Sequence, residues 1–112
     1  MSYQKWDKEF NGAVTVCDKK GKILYMNDKA CKTFEKYGGE DLVGKSLFDC
    51  HPESANNTLK DMIVSEKSNA YTIEKNGVKK LIYQMPWYIR GKFKGLVELS
   101  LEIPIEMPNF IR

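Results

Sequence analysis

Histidine occurs once, cysteine three times and proline four times in the 112 residues of this chain. His51 stands alone, and Cys17, Cys31 and Cys50 are far apart with no C-x-x-C pair. Neither a disulfide framework nor a four-ligand zinc site assembles from such a set, so no metal site is expected and the thiols are expected reduced and mostly buried. No apolar run approaches the roughly 20 residues of a membrane-spanning helix, and the opening MSYQKWDKEF lacks the apolar stretch of a signal peptide. A cytoplasmic protein without a membrane partner is expected. Charge of one sign is missing as well: 18 basic residues face 15 acidic ones, nine against nine up to residue 56 and nine against six beyond it. That balance forces neither a nucleic-acid nor an anionic-membrane partner. Repeats, low-complexity stretches and Pro/Gly/Ser linkers are absent too. A chain this short removes roughly two-thirds of its unfolded surface from water, enough for one core and not for a multi-domain enzyme.

What is present is a succession of short elements. Tyr3, Trp6 and Phe10 follow i, i+3, i+7 spacing, which predicts a short amphipathic helix over residues 1–12 closed by Gly12. Residues 13–18 (AVTVCD) and 22–26 (KILYM) read as two strands joined at Lys19-Lys20-Gly21. Asn27 is placed to cap a helix whose apolar positions Ala30, Cys31, Phe34 and Tyr37 run to Gly38-Gly39. Residues 40–53 read as irregular with single helical turns. Leu59, Met62 and Ile63 share a face of a helix that starts at Ser54 or Thr58 and reaches Glu66, with Thr58-x-x-Asp61 resembling a capping box.

The last third reads as three strands, 69–75, 78–89 and 93–105, the first two joined at Asn76-Gly77, a strong hairpin signal. Odd positions from Phe93 to Ile105 are apolar or Gly while Lys94, Glu98, Ser100 and Glu102 alternate with them, the pattern of a half-buried antiparallel strand. Parity lets Leu81, Tyr83, Met85, Trp87 and Ile89 share a face with that apolar set only across an odd loop, Arg90-Gly91-Lys92, or a bulge. The expected fold is therefore α+β: a five-stranded antiparallel sheet with helices inserted between strands two and three, covering one face.

The stretch VCDKKGKILYMNDKACKTFEKYGGEDLVGKSLFDCHPES, with Asp18, Gly21, Ile23, Asn27, Tyr37, Gly44 and His51-Pro52-Glu53, resembles the PAS domains, and MPWYIRGKFKGLVELSL resembles their final hairpin. The resemblance spans residues 13 to about 103. It implies a sensory or interaction module at 13–105, preceded by an amphipathic dimer helix at 1–12 and followed by a tail at 106–112. Where such modules usually show Asp-Ile-Thr before a coiled coil, this chain has Glu102-Ile103-Pro104.

Several constellations have plainer readings. Residues 39–46 (GEDLVGKS) satisfy GxxxxGKS, but a P-loop leaves a strand and opens a helix. This one follows a helix, meets Pro52 within six residues, and would set Glu40 and Asp41 against the phosphates. Asp49-Cys50-His51-Pro52-Glu53 gathers a thiol, an imidazole and carboxylates, yet adjacent side chains usually diverge and no orienting third group is evident, so no catalytic residues are expected. Haem attachment through C-x-x-C-H is excluded by its absence, and the Gly-x-Asn-Cys-Arg type of segment used for flavin chemistry is missing as well. Lys75, Lys79, Lys80, Arg90, Lys92 and Lys94 gather near Trp87, Tyr88 and Phe93, but lysines at sheet edges and turns ordinarily keep them soluble, and no nucleic-acid partner is expected.

The informative surplus is apolar. Phe34, Tyr37, Phe48, Leu59, Met62 and Ile63 on the helical side are expected to face Tyr83, Met85, Trp87 and Leu99 on the sheet, either as a solid core or as the lining of a pocket. The resemblance implies the pocket. The functional expectation is a sensor that binds a small apolar or aromatic ligand, or a partner protein, and signals to an output partner through homodimer contacts at Tyr3, Trp6 and Phe10. One alternative is a haem-binding redox or gas sensor with His51 as axial ligand. A second is a small enzyme or redox protein built on Cys50 and His51.

Overall fold

Residues Ala13–Asp18 (β1) and Ile23–Met26 (β2) form a hairpin closed by an Asx turn. The Asp18 carboxylate accepts from the backbone N–H groups of Lys20 and Lys22 at 2.9 Å each, and Gly21 supplies the positive φ of 82° that the turn requires. The structure, a computed structural model, describes residues 5–50 and 52–112. Asn27 then caps the helix Asp28–Thr33 (α1), accepting from Ala30 N–H at 2.9 Å. Beyond Phe34 the helix tightens into a 3-10 turn, Glu35–Tyr37, because the chain turns back at Gly38 and Gly39 and the Gly39 N–H bonds to the Phe34 carbonyl at 3.0 Å. Two more 3-10 turns, Gly39–Leu42 and Leu47–Cys50, lead to the helix Glu53–Ser65 (α2).

The capping box expected at Thr58 is not used. Helix α2 takes the earlier of the two expected starts, within one residue of Ser54, with Pro52 in the capping position at φ −67°, and the Thr58 hydroxyl donates to the Ser54 carbonyl within the helix. Asn69–Lys75 (β3), Val78–Ile89 (β4) and Lys92–Ile103 (β5) complete a five-stranded antiparallel sheet of order β2-β1-β5-β4-β3. The α+β architecture expected from the sequence is the one observed.

Both terminal hairpins close with two-residue turns, Asn76-Gly77 and Arg90-Gly91, whose four residues all have positive φ. Of the two alternatives that parity allows, the odd loop at residues 90–92 is not the one observed. Parity is restored by a bulge instead: Trp87 pairs with Gly95 and Tyr88 with Phe93, leaving Lys94 as the extra residue. Leu81, Tyr83, Met85 and Trp87 do lie opposite Leu101, Leu99, Val97 and Gly95.

Residues 5–12 are not a regular helix. Lys8 and Phe10 make i→i+3 bonds to Lys5 and Asp7, and the carbonyls that would continue a helix are taken elsewhere, that of Asp7 by the Asn27 side chain and that of Lys8 by the Asp28 N–H. Trp6 and Phe10 still meet, edge to face at 5.5 Å. Tyr3 lies outside the described residues.

The core sits between α1, α2 and one sheet face. Ala13, Cys17, Ile23, Met26, Ala30, Leu42, Leu47, Leu59, Met62 and Leu96 are buried together, with Phe34, Phe48, Ile63 and Phe93 packed on them. Each of the large aliphatic side chains contributes roughly 1.5–3 kcal/mol by leaving water. Burial is the first cause pushing the Cys17 and Cys31 thiols up from their ordinary value, which keeps both protonated and weakly reactive. Among the described residues no helix is long and apolar enough to cross a membrane.

Candidate functional site

Strand alternation and register decide which side chains meet the helices. Across β1, β5 and β4 the rows are Thr15–Glu98–Gln84 and Cys17–Leu96–Pro86, and these rows face α2. The alternate rows, Val16–Val97–Met85 and Val14–Leu99–Tyr83, face away.

Helix α2 divides its own residues in the same manner. Leu59 and Met62 point into the core, whereas Ser54, Ala55 and Thr58, at i, i+1 and i+4, form a neighbouring stripe of small side chains. Opposite that stripe stand Asn69 and Tyr71 of β3 and Gln84 of β4. The six residues enclose an open cleft of about 370 Å³, within the range of small-molecule sites.

A directed chain of polar side chains leads inward from the cleft. Asn69 Nδ2 donates to Gln84 Oε1 at 3.1 Å, and Gln84 Nε2 donates to Glu98 Oε2 at 2.8 Å. Gln84 is only 3% exposed, so these bonds offset the desolvation of its amide. Behind it lie two interior voids of about 10 Å³ each, both bordered by Thr15, Leu47 and Glu98, with room for about one water apiece. The Tyr71 hydroxyl is pushed up from its ordinary pKa, first by burial and then by the Glu98 charge.

The sheet half of the expected apolar lining is corrected. Tyr83, Met85, Trp87 and Leu99 lie on the face opposite the helices, and the Trp87 indole N–H donates to the Cys17 carbonyl at 3.0 Å. Of the helical half, Leu59 and Met62 are fully buried and Phe34, Phe48 and Ile63 pack against them, so these five residues fill the interior. Tyr37 is also corrected: the 3-10 turn leaves it 55% exposed, with the Lys36 ammonium 5.1 Å from its ring. His51 lies outside the described residues, as does the side chain of Cys50.

The residues that line the cleft escaped the sequence reading because polar residues alternating with apolar ones are ordinarily assigned to solvent. Gln84 and Glu98 pair directly across β4 and β5, a relationship that becomes visible only once the register is known.

A protein-family model described as PAS domain matches residues 11–85. Among solved structures, the VqmA dimer of Vibrio cholerae superposes with a TM-score of 0.73 at 14% identity, over 94% of this chain and 53% of that one, and a further structure shows VqmA bound to DPO. The Aer2 receptor from Vibrio cholerae, described as a dual PAS-heme oxygen sensor, superposes at 0.61 with 14% identity, over 83% of this chain and 95% of that one. The PAS domain of Bordetella pertussis BvgS superposes at 0.62 with 18% identity, over 91% and 84%. No curated protein sequence matches the chain.

Proposed function

We propose, starting from the fact that the chain belongs to the PAS domain family, that it is a sensory module whose ligand enters the cleft between α2 and the β3–β4 hairpin and whose output is a change in homodimer contacts. The cleft carries this reading: about 370 Å³ of space ends on the buried amide of Gln84. The sequence predicts an apolar lining, whereas Ser54, Thr58, Asn69, Tyr71 and Gln84 all offer hydrogen-bonding groups. A small polar molecule therefore fits better than a purely apolar one. The likeness to VqmA, a dimer also seen bound to a ligand, supports both halves of the proposal.

For the dimer, the apolar face turned away from the helices is the surface to cover. It carries Leu81, Tyr83, Met85, Trp87, Val97, Leu99 and Leu101, and it continues into Phe10, which lies next to Gly12 against Leu101. Tyr83 is 37% and Trp6 63% exposed. Aromatic residues left in water on a continuous apolar face mark an association surface. The module binds and relays; no catalytic step is assigned to it. We further propose the boundaries 1–12, 13–105 and 106–112 for the dimer segment, the sensory domain and the tail.

Native mass spectrometry of gently purified protein, beside its denatured spectrum and a visible absorption scan, tests the reading. A dimer with an added mass that disappears on denaturation is the expected result. A monomer that acquires no ligand from a metabolite extract overturns it, and a Soret band reassigns the module to haem and returns attention to His51.

A further inference from the structure

Taking the cleft as the ligand site, on which this inference rests, we propose that it selects a small planar molecule presenting N–H donors, of the primary amide or amidine class, and rejects carboxylates.

The direction of the hydrogen bonds carries the selection. Glu98 is an acceptor when ionised, so the amide of Gln84 must turn its nitrogen inward to reach it, at 2.8 Å. That leaves the Gln84 oxygen on the side of Asn69, which meets it with its own nitrogen at 3.1 Å. Both amides are thereby oriented by one carboxylate. An amide oxygen carries two lone pairs, and Asn69 uses only its nitrogen in this chain. The polar wall of the cleft therefore presents two amide oxygens, beside the second N–H of Asn69, with the Glu98 carboxylate behind them.

The same charge acts on whatever enters. It is one of the causes that hold the Tyr71 hydroxyl protonated, so its field reaches the cleft lining. A carboxylate turned to the Asn69 and Gln84 oxygens meets acceptors and like charge, while an amide or amidine meets partners there. The Tyr71 ring adds a flat wall, the Thr58 hydroxyl, whose hydrogen goes to the Ser54 carbonyl, adds a further acceptor, and the Ser54 hydroxyl adds a group that donates or accepts.

Three probes share a phenyl ring and differ only at the polar end: benzamide, benzamidine and benzoate. Each is titrated into the intact, isotope-labelled chain while the side-chain amide resonances of Asn69 and Gln84 are followed. Benzamide and benzamidine are expected to shift both resonances, with benzoate at least about ten-fold weaker, as a charge-assisted hydrogen bond made or forfeited requires. Glu98→Gln is expected to erase the preference of the site for benzamidine over benzoate while the Gly77 and Gly91 resonances stay in place. Should that variant fail to fold, the three-probe comparison on the natural chain decides alone. Benzoate shifting the two amides as strongly as benzamidine overturns the donor selectivity and leaves the cleft as a ligand site. None of the three probes moving any cleft residue overturns the site and its selectivity together.

Discussion

Asn27 holds the carbonyl oxygen of Asp7, twenty residues earlier in the chain, with one hydrogen of its side-chain amide at 2.8 Å. The other hydrogen goes to the Gly12 carbonyl at 2.8 Å, and the side-chain oxygen accepts from Val14 and Ala30, both at 2.9 Å. Every hydrogen-bonding position of a side chain that is 1% exposed is thus occupied. One residue caps α1 and ties residues 5–12 to β1.

Asn27→Ala is accordingly expected to cost about 3 kcal/mol, combining a lost helix cap with backbone groups left unpaired in the interior. Asn27→Asp keeps the two acceptor roles but sets a carboxylate against the carbonyls of Asp7 and Gly12, and is expected to cost nearly as much. Urea midpoints of the two variants measure this, and a loss below about 1 kcal/mol for Asn27→Ala would contradict the four-bond account.

The same tie predicts a pH response at the alkaline end. Burial first, then the hydrogen bond and charge of Asp7, push the Tyr25 hydroxyl up to about 12. Its folded pKa lies above its unfolded value of about 10, so the stabilisation is complete below pH ~10 and is lost as pH rises through about 12. In an ultraviolet phenolate titration of the six tyrosines, Tyr25 is expected to ionise late. Asp7→Asn should bring that step to lower pH.

Gly95 has φ 152°, and a Cβ there would fall into the Cys17 carbonyl and within 2.8 Å of Asp18 Cα. Gly95→Ala is expected to prevent native pairing of β1 with β5, read as loss of cooperative unfolding. Trp87→Phe removes the 3.0 Å indole bond to Cys17 together with part of the packing of a half-buried ring, leaves the backbone path open, and is expected to cost about 1–2 kcal/mol. Equal losses for the two variants would argue against this account of the bulge.

Thr58 lies on the cleft side of α2, is exposed, and packs against nothing in the core. Thr58→Trp is expected to fill the cleft, weakening benzamidine binding at least about ten-fold while stability changes by about 0.5 kcal/mol or less. Unchanged binding would place the ligand elsewhere.

Charge placed on the outer face tests the proposed dimer. Met85→Glu points into solvent or into a partner, never into the core, because Met85 faces away from the helices. Sedimentation is expected to show monomers for this variant with the unfolding midpoint of the fold preserved, whereas a persistent dimer would exclude that face as the interface.

Local signals made much of the chain legible. Asn76-Gly77 demanded a two-residue turn because both residues must adopt positive φ, and Asn27 announced a helix start through its reach to the N–H three residues on. Element order followed, and with it the α+β architecture. The opening segment misled because three aromatic residues at helical spacing say nothing of where the carbonyls of Asp7 and Lys8 will find partners, and those partners lie twenty residues away.

What the sequence determined by itself was the five strands, the two helices between them and their order, and the sorting of Tyr83, Met85 and Trp87 into one alternating set and of Val97 and Leu99 into another, which the bulge then put on one face. Tertiary structure alone decided which face the helices cover. Period-two alternation sorts residues into two sets without saying which is inward, and the assignment came from β1 and β2, whose Cys17, Ile23 and Met26 face α1 and the core. Once β5 paired with β1, Leu96 joined that core and Glu98 and Gln84 were carried inside with it, where a carboxylate and an amide satisfy one another at 2.8 Å. The apolar row was left on the outside, and the polar row became the floor of the cleft.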